Sequence, residues 1–110
     1  MTLLQQIESD RRLRREALRD EMRLALRKVL PEFLPGQRVI VFGSLSKSGK
    51  FRETSDVDIA IDQEPDNLSI YQLTSLLAEK LGRSVDVVIL GECRFRERIL
   101  REGETWTLPA

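Results

Sequence analysis

The chain contains no histidine, one cysteine, one tryptophan and one tyrosine. Without an imidazole, Ser-His-Asp catalysis, histidine-ligated zinc and neutral-pH imidazole switching are all unavailable, and chemistry must run on carboxylates, hydroxyls, amines or a bound metal. Cys93 has no second cysteine to pair with inside the chain, and its place beside a charged helical stretch reads as structural rather than nucleophilic. No run approaches the ~20 apolar residues that span a bilayer, and no signal-type apolar block opens the chain, so a cytoplasmic location is expected and no membrane association. Neither Gly-x-Gly-x-x-Gly nor a Walker-type Gly-Lys-Ser/Thr is present, Gly49-Lys50 being followed by Phe51, which removes the dinucleotide and P-loop readings. Eighteen basic and eighteen acidic side chains cancel, so net charge gives no drive towards nucleic acid, and no direct nucleic-acid binding is expected.

What the chain does have is 41% hydrophobic and 33% charged residues in a length of 110, enough for one folded core with a charged exterior. A single domain is expected over 1–110, and any acceptor-binding domain must come from another chain. Charge is unevenly spread. Residues 1–55 carry 12 basic and 7 acidic side chains and residues 56–110 carry 6 and 11, giving halves of +5 and −5.

Helical spacing of Leu18, Met22, Ala25, Leu26 and Val29, with no glycine or proline before Leu30, predicts a long N-terminal helix over 1–30, capped by Thr2 and stopped by Pro31. Its arginine-rich outer band reads first as a solvated face and second as a docking surface. Arg38 to Phe42 reads as a buried strand ending at Gly43, and Ser44 to Ser55 as a polar loop or short helix. Asp56 to Ile61 alternates acidic or small residues with aliphatic ones, a strand with one core face and one chemical face. Asn67 is placed as the cap of a helix running to Leu81, ended by Gly82. Val85 to Leu90 is a third strand, Arg94 to Arg101 a short helix, and Glu104 to Ala110 a tail. The order predicts an α/β (α+β) domain with a three-stranded mixed sheet covered on one face by helices.

Asp56 and Asp58, at i and i+2 on a strand, point from one face about 6.5–7 Å apart. Two carboxylates so placed suit hard divalent cations such as Mg²⁺, which takes oxygen ligands from one or two carboxylates plus substrate phosphates. Asp86 is a third carboxylate inside an apolar strand, where an acid needs a partner. If the second and third strands are neighbours, all three acids meet, and three carboxylates with two cations suit in-line nucleotidyl transfer, Asp86 binding or deprotonating the incoming hydroxyl. Gly43-Ser44 at a strand end supplies a phosphate cradle: glycine allows close backbone approach, Ser44 donates from its hydroxyl and backbone N–H, and Lys47 and Lys50 add charge. Each feature also has a plainer reading: a strand-to-loop turn for Gly43-Ser44, solvated acids for Asp56 and Asp58, an ion pair with Arg83 or Arg94 for Asp86.

Gly43-Ser44, eleven residues, Asp56-Val57-Asp58 and a later strand bearing Asp86 together resemble the minimal nucleotidyltransferase domain of the DNA polymerase β superfamily, over residues 38–101. The resemblance implies nucleotide binding at Gly43, Ser44 and Lys47, two Mg²⁺ ions at Asp56, Asp58 and Asp86, and ATP as substrate. Most short stand-alone members are antitoxins paired with a HEPN-domain ribonuclease toxin, onto whose tyrosine AMP is transferred; the implied partner is such a toxin, in a homo- or hetero-oligomer. The gap after Gly-Ser is one residue longer than usual, and Lys47 stands where arginine is frequent. All three carboxylates survive, so transfer activity is expected. The alternative is a non-catalytic antitoxin or nucleotide-binding module acting by stoichiometric contact.

Overall fold

The computed structural model describes residues 1–110, beginning with α1 (Leu3–Phe33). Thr2 closes its N-terminus in a capping box: the Thr2 hydroxyl accepts from the Gln5 N–H and the Gln5 side chain accepts from the Thr2 N–H. Pro31 does not stop it. The helix runs one turn further, and the Leu34 N–H donates to Leu30 O at 2.8 Å. The physical reason is burial: Leu30 and Leu34 are both fully shielded, and holding them against the sheet outweighs the donor that Pro31 removes.

β1 (Arg38–Phe42) follows the turn at Pro35-Gly36, and a 3₁₀ turn (Gly43–Ser46) ends it. β2 (Val57–Ile61) leads to α2 (Ile70–Leu81), then β3 (Val85–Ile89), a second 3₁₀ turn (Leu90–Glu92), α3 (Arg96–Glu102) and β4 (Glu104–Thr107). Ser69, not Asn67, caps α2, because Gln72 three residues on completes a reciprocal box with it that Asn67 has no partner to make. Gly82 ends α2 in the left-handed conformation, φ 63°.

The sheet has four strands, in the order β3-β2-β1-β4, and this corrects the three-stranded expectation. The residues expected to be a tail supply the fourth: Thr105, Trp106 and Thr107 are good strand formers, and they pair antiparallel with β1, Trp106 opposite Val39. The sheet therefore extends past residue 101, the expected end of the core. β1 is antiparallel to β2, while β2 and β3 are parallel and joined through α2, so the sheet is mixed as expected.

Both faces are covered, not one. Val39, Val41, Ile59 and Ile61 face α1 and α2, packing with Leu26, Leu30, Leu73 and Leu77. On the opposite face Ile40 and Ala60 meet Leu90 and Ile99, so α3 covers only part of it. The uncovered part of this second face, at the end where β1 finishes and β2 and β3 begin, holds the site.

Candidate active site

The strand registers bring the candidate residues together. Phe42, the last residue of β1, lies opposite Asp58 in β2, and Asp58 lies opposite Asp86 in the parallel β3. Gly43 thus leaves the sheet directly beside Asp58, with Asp56 exposed on the approach to β2. Two constraints require glycine at position 43: its φ is +71°, and a Cβ there would collide with the Asp58 carboxylate. Ser44 is half-buried in the 3₁₀ turn. That turn is anchored underneath by the fully buried Leu45, internally by the Ser46 hydroxyl donating to Gly43 O at 2.8 Å, and from α1 by Arg19 Nε donating to Leu45 O at 2.9 Å. It spans only four residues, so any anion at Ser44 would meet the N–H groups of one turn rather than the dipole of a full helix.

The electrostatics are those of acids lacking counter-charges. Asp58 is pushed up to about 6, first by burial and then by the neighbouring charges of Asp86 and Asp56 and a hydrogen bond with Asp86. No lysine or arginine forms an ion pair with Asp56, Asp58 or Asp86. The basic residues that would have neutralised Asp86 are engaged elsewhere. Arg83 donates to Arg52 O, Glu53 O and Ser55 O at 2.8–3.0 Å and lies over the Phe51 ring at 4.8 Å, while Arg94 lies over Phe95 at 5.6 Å. Asp86 is also exposed rather than embedded, because β3 is an edge strand and α3 stops short of this end of the face.

As they stand, these side chains do not close into a metal cage of three protein ligands. The donor set nevertheless fits Mg²⁺: it is all oxygen, unpaired and anionic, and Mg²⁺ keeps waters and substrate phosphates in its shell instead of demanding an all-protein cage. Asp56, Asp58 and Asp86 would hold it.

The loop after Gly43-Ser44 is held by contacts that sequence reading missed. Glu16 of α1 accepts from the Ser48 hydroxyl at 3.1 Å and from the Gly49 N–H, and the Gly49 bond is the main cause holding its carboxyl below the usual range. Lys47 is exposed and reaches Glu102 of α3 at 3.6 Å, where Arg98 Nε also binds at 3.1 Å. Arg83 fixes the segment leading into Asp56 through three carbonyls. Every one of these ties except Arg98–Glu102 joins residues 28 to 55 positions apart, so no local pattern announces them.

The model of the polymerase β nucleotidyltransferase family matches residues 26–106. A Methanocaldococcus jannaschii protein whose name proposes a protein adenylyltransferase activity is 34% identical over 67 residues, covering 59% of this chain and 67% of its own length. A solved toxin–antitoxin structure with AMP-PNP has a TM-score of 0.60 at 29% identity, over 76% of this chain and 71% of that one. A mutant MntA-HpeT toxin–antitoxin structure has a TM-score of 0.53 at 28% identity, over 74% and 67% respectively. With the family model spanning β1 to β3, α2, α3 and every candidate site residue, the chain belongs to the polymerase β nucleotidyltransferase family.

Proposed function

We propose that this nucleotidyltransferase moves AMP from ATP to a hydroxyl of a partner protein, and that the partner is a HEPN-domain ribonuclease toxin neutralised by the modification. The observation that carries the chemistry is the pairing of Asp58 with Asp86 across β2 and β3, beside Gly43 and without a basic partner. The relative whose name proposes protein adenylyltransferase activity supports the reaction class, and the toxin–antitoxin neighbours, one with AMP-PNP, support the nucleotide and the kind of partner.

In this reading the Gly43 backbone and the Ser44 hydroxyl receive the triphosphate, and Lys47 leaves Glu102 to neutralise it as a point charge. Mg²⁺, held by Asp56, Asp58 and Asp86, supplies charge neutralisation of the phosphates and polarisation at phosphorus. Asp86, the most open of the paired acids, orients the incoming hydroxyl and accepts its proton. The reaction class is balanced: the acceptor oxygen bonds to the α-phosphorus, pyrophosphate leaves, and the hydroxyl proton passes to the base.

The test incubates the protein with radiolabelled ATP, Mg²⁺ and the product of the adjacent gene. Label on the second protein that disappears in the Asp56→Asn/Asp58→Asn variant supports the reading. A second reading, neutralisation by contact alone, is favoured by the exposed N-terminal part of α1, where Leu3, Leu4 and Leu13 face solvent. A tight complex without label would select it.

A further inference from the structure

A cavity of about 260 Å³ opens on the same sheet face as Asp58 and Asp86, between the sheet and α3. Its floor is Phe42 and Val88, each two residues or one strand away from a site carboxylate, and its wall is Cys93, Phe95 and Ile99. Gly43 and Lys47 stand at the phosphate side, and Arg98 and Glu102 complete the lining. Phe95 is 57% exposed, a large aromatic whose ring packs into no core cluster.

We propose that this cavity takes the nucleobase of the nucleotide substrate, with Phe95 as its stacking surface. The inference rests on the nucleotide-binding reading above and assigns that nucleotide's other end. Two observations carry it. The cavity is continuous with the residues that would hold the triphosphate, so one ligand spans both. Its lining is apolar and aromatic with a few charged groups at the edge, the composition of a small-ligand site, and its volume falls a little below the roughly 300 Å³ at which sites for whole small ligands begin, as suits one base rather than a whole nucleotide.

The chain's single thiol, half-buried in the wall, reports occupancy without reference to catalysis. The experiment follows alkylation of Cys93 by iodoacetamide in the full chain with ATP and Mg²⁺, with inorganic tripolyphosphate and Mg²⁺, and with neither, alongside calorimetric binding of both ligands. At ATP ten times its Kd, alkylation is expected to slow roughly tenfold, while tripolyphosphate at the same saturation leaves it unchanged. Phe95→Ala, at an exposed position, should weaken ATP binding roughly tenfold without altering tripolyphosphate binding or the melting temperature. The proposal is overturned if ATP binds yet Cys93 reacts at its free rate, if tripolyphosphate protects as well as ATP does, or if Phe95→Ala leaves ATP affinity unchanged. Protection by the partner protein but not by ATP would assign the cavity to the acceptor instead. Failure of ATP to bind at all would remove the nucleotide reading, and this inference with it.

Discussion

At Asp58, stability and function pull in opposite directions. A carboxyl raised to about 6 is more costly to ionise in the fold than in the unfolded chain, where it titrates near 3.8, so its charge destabilises the fold fully above about pH 6 and not at all below about 3.8. Asp58→Asn is therefore expected to abolish transfer while raising the melting temperature at pH 7.5. The gain is about 1 kcal/mol once solvent screening of a half-exposed group is allowed for, and it shrinks towards pH 4. Thermal melts of both proteins at the two pH values check this, and a lower melting temperature for the variant at pH 7.5 would contradict it. Gly43→Ala should behave differently, losing about 2 kcal/mol because alanine must hold a left-handed backbone and also displace the Asp58 carboxylate. Loss of nucleotide binding should accompany the lower melting point, read by calorimetry at a temperature where the variant is folded. The residue types of this site were legible in the sequence because Gly-Ser and Asp-x-Asp are local patterns. What made Asp86 their neighbour was register between β2 and β3, a relation 28 positions long that the sequence offered only as a condition.

Among the elements, β4 is the one the sequence concealed. Four residues are too few to show alternation, and what stabilises them is non-local: Trp106 is buried against the helical face, with Arg27 and Arg23 of α1 over its ring at 4.0 and 5.4 Å. Glu104 completes the lock, its two oxygens accepting from Arg23 at 2.8 and 2.9 Å and one of them from the Trp106 Nε1–H at 2.9 Å. The Arg23 hydrogen bond is the chief cause that lowers Glu104 to about 2. A carboxylate depressed in the fold contributes stability above its unfolded value, near 4.5, and loses it as pH falls towards 2. Glu104→Gln should therefore cost about 1 kcal/mol at pH 7, discounted because the side chain is partly exposed, with the difference closing below pH 4. Denaturant titrations at pH 7 and pH 3 measure it, and an equal cost at both would show the ion pair to be irrelevant. By contrast α1, α2 and the strands β1, β2 and β3 were legible, since their burial follows periodicities of 3.6 and 2 written into the chain.

For the whole molecule, the sequence's division into a basic and an acidic half becomes a set of ties across the fold. Arg23 and Arg27 meet Glu104, Arg38 meets Asp62, and Lys47 meets Glu102. The shape is less balanced, with extents of 55 × 28 × 23 Å, because α1 is about 46 Å long and its first buried residue is Met22. Removing residues 1–10 should leave the unfolding free energy within about 0.5 kcal/mol of the full chain's, as denaturant titration would read it, since nothing in that stretch is buried. If α1 is where the partner docks, the same deletion weakens the complex at least about tenfold, equivalent to 1.4 kcal/mol in calorimetry. A destabilised truncation would instead mean that this stretch supports the fold.

Trp106 is the chain's sole tryptophan, and the two guanidinium groups over its indole both come from the helix that carries the projecting end. Its emission thus reports how α1 is seated. A partner that grips the projecting end and levers the helix would change the quenching of one known fluorophore, so that association and any accompanying shift of α1 can be followed in real time on the unlabelled protein.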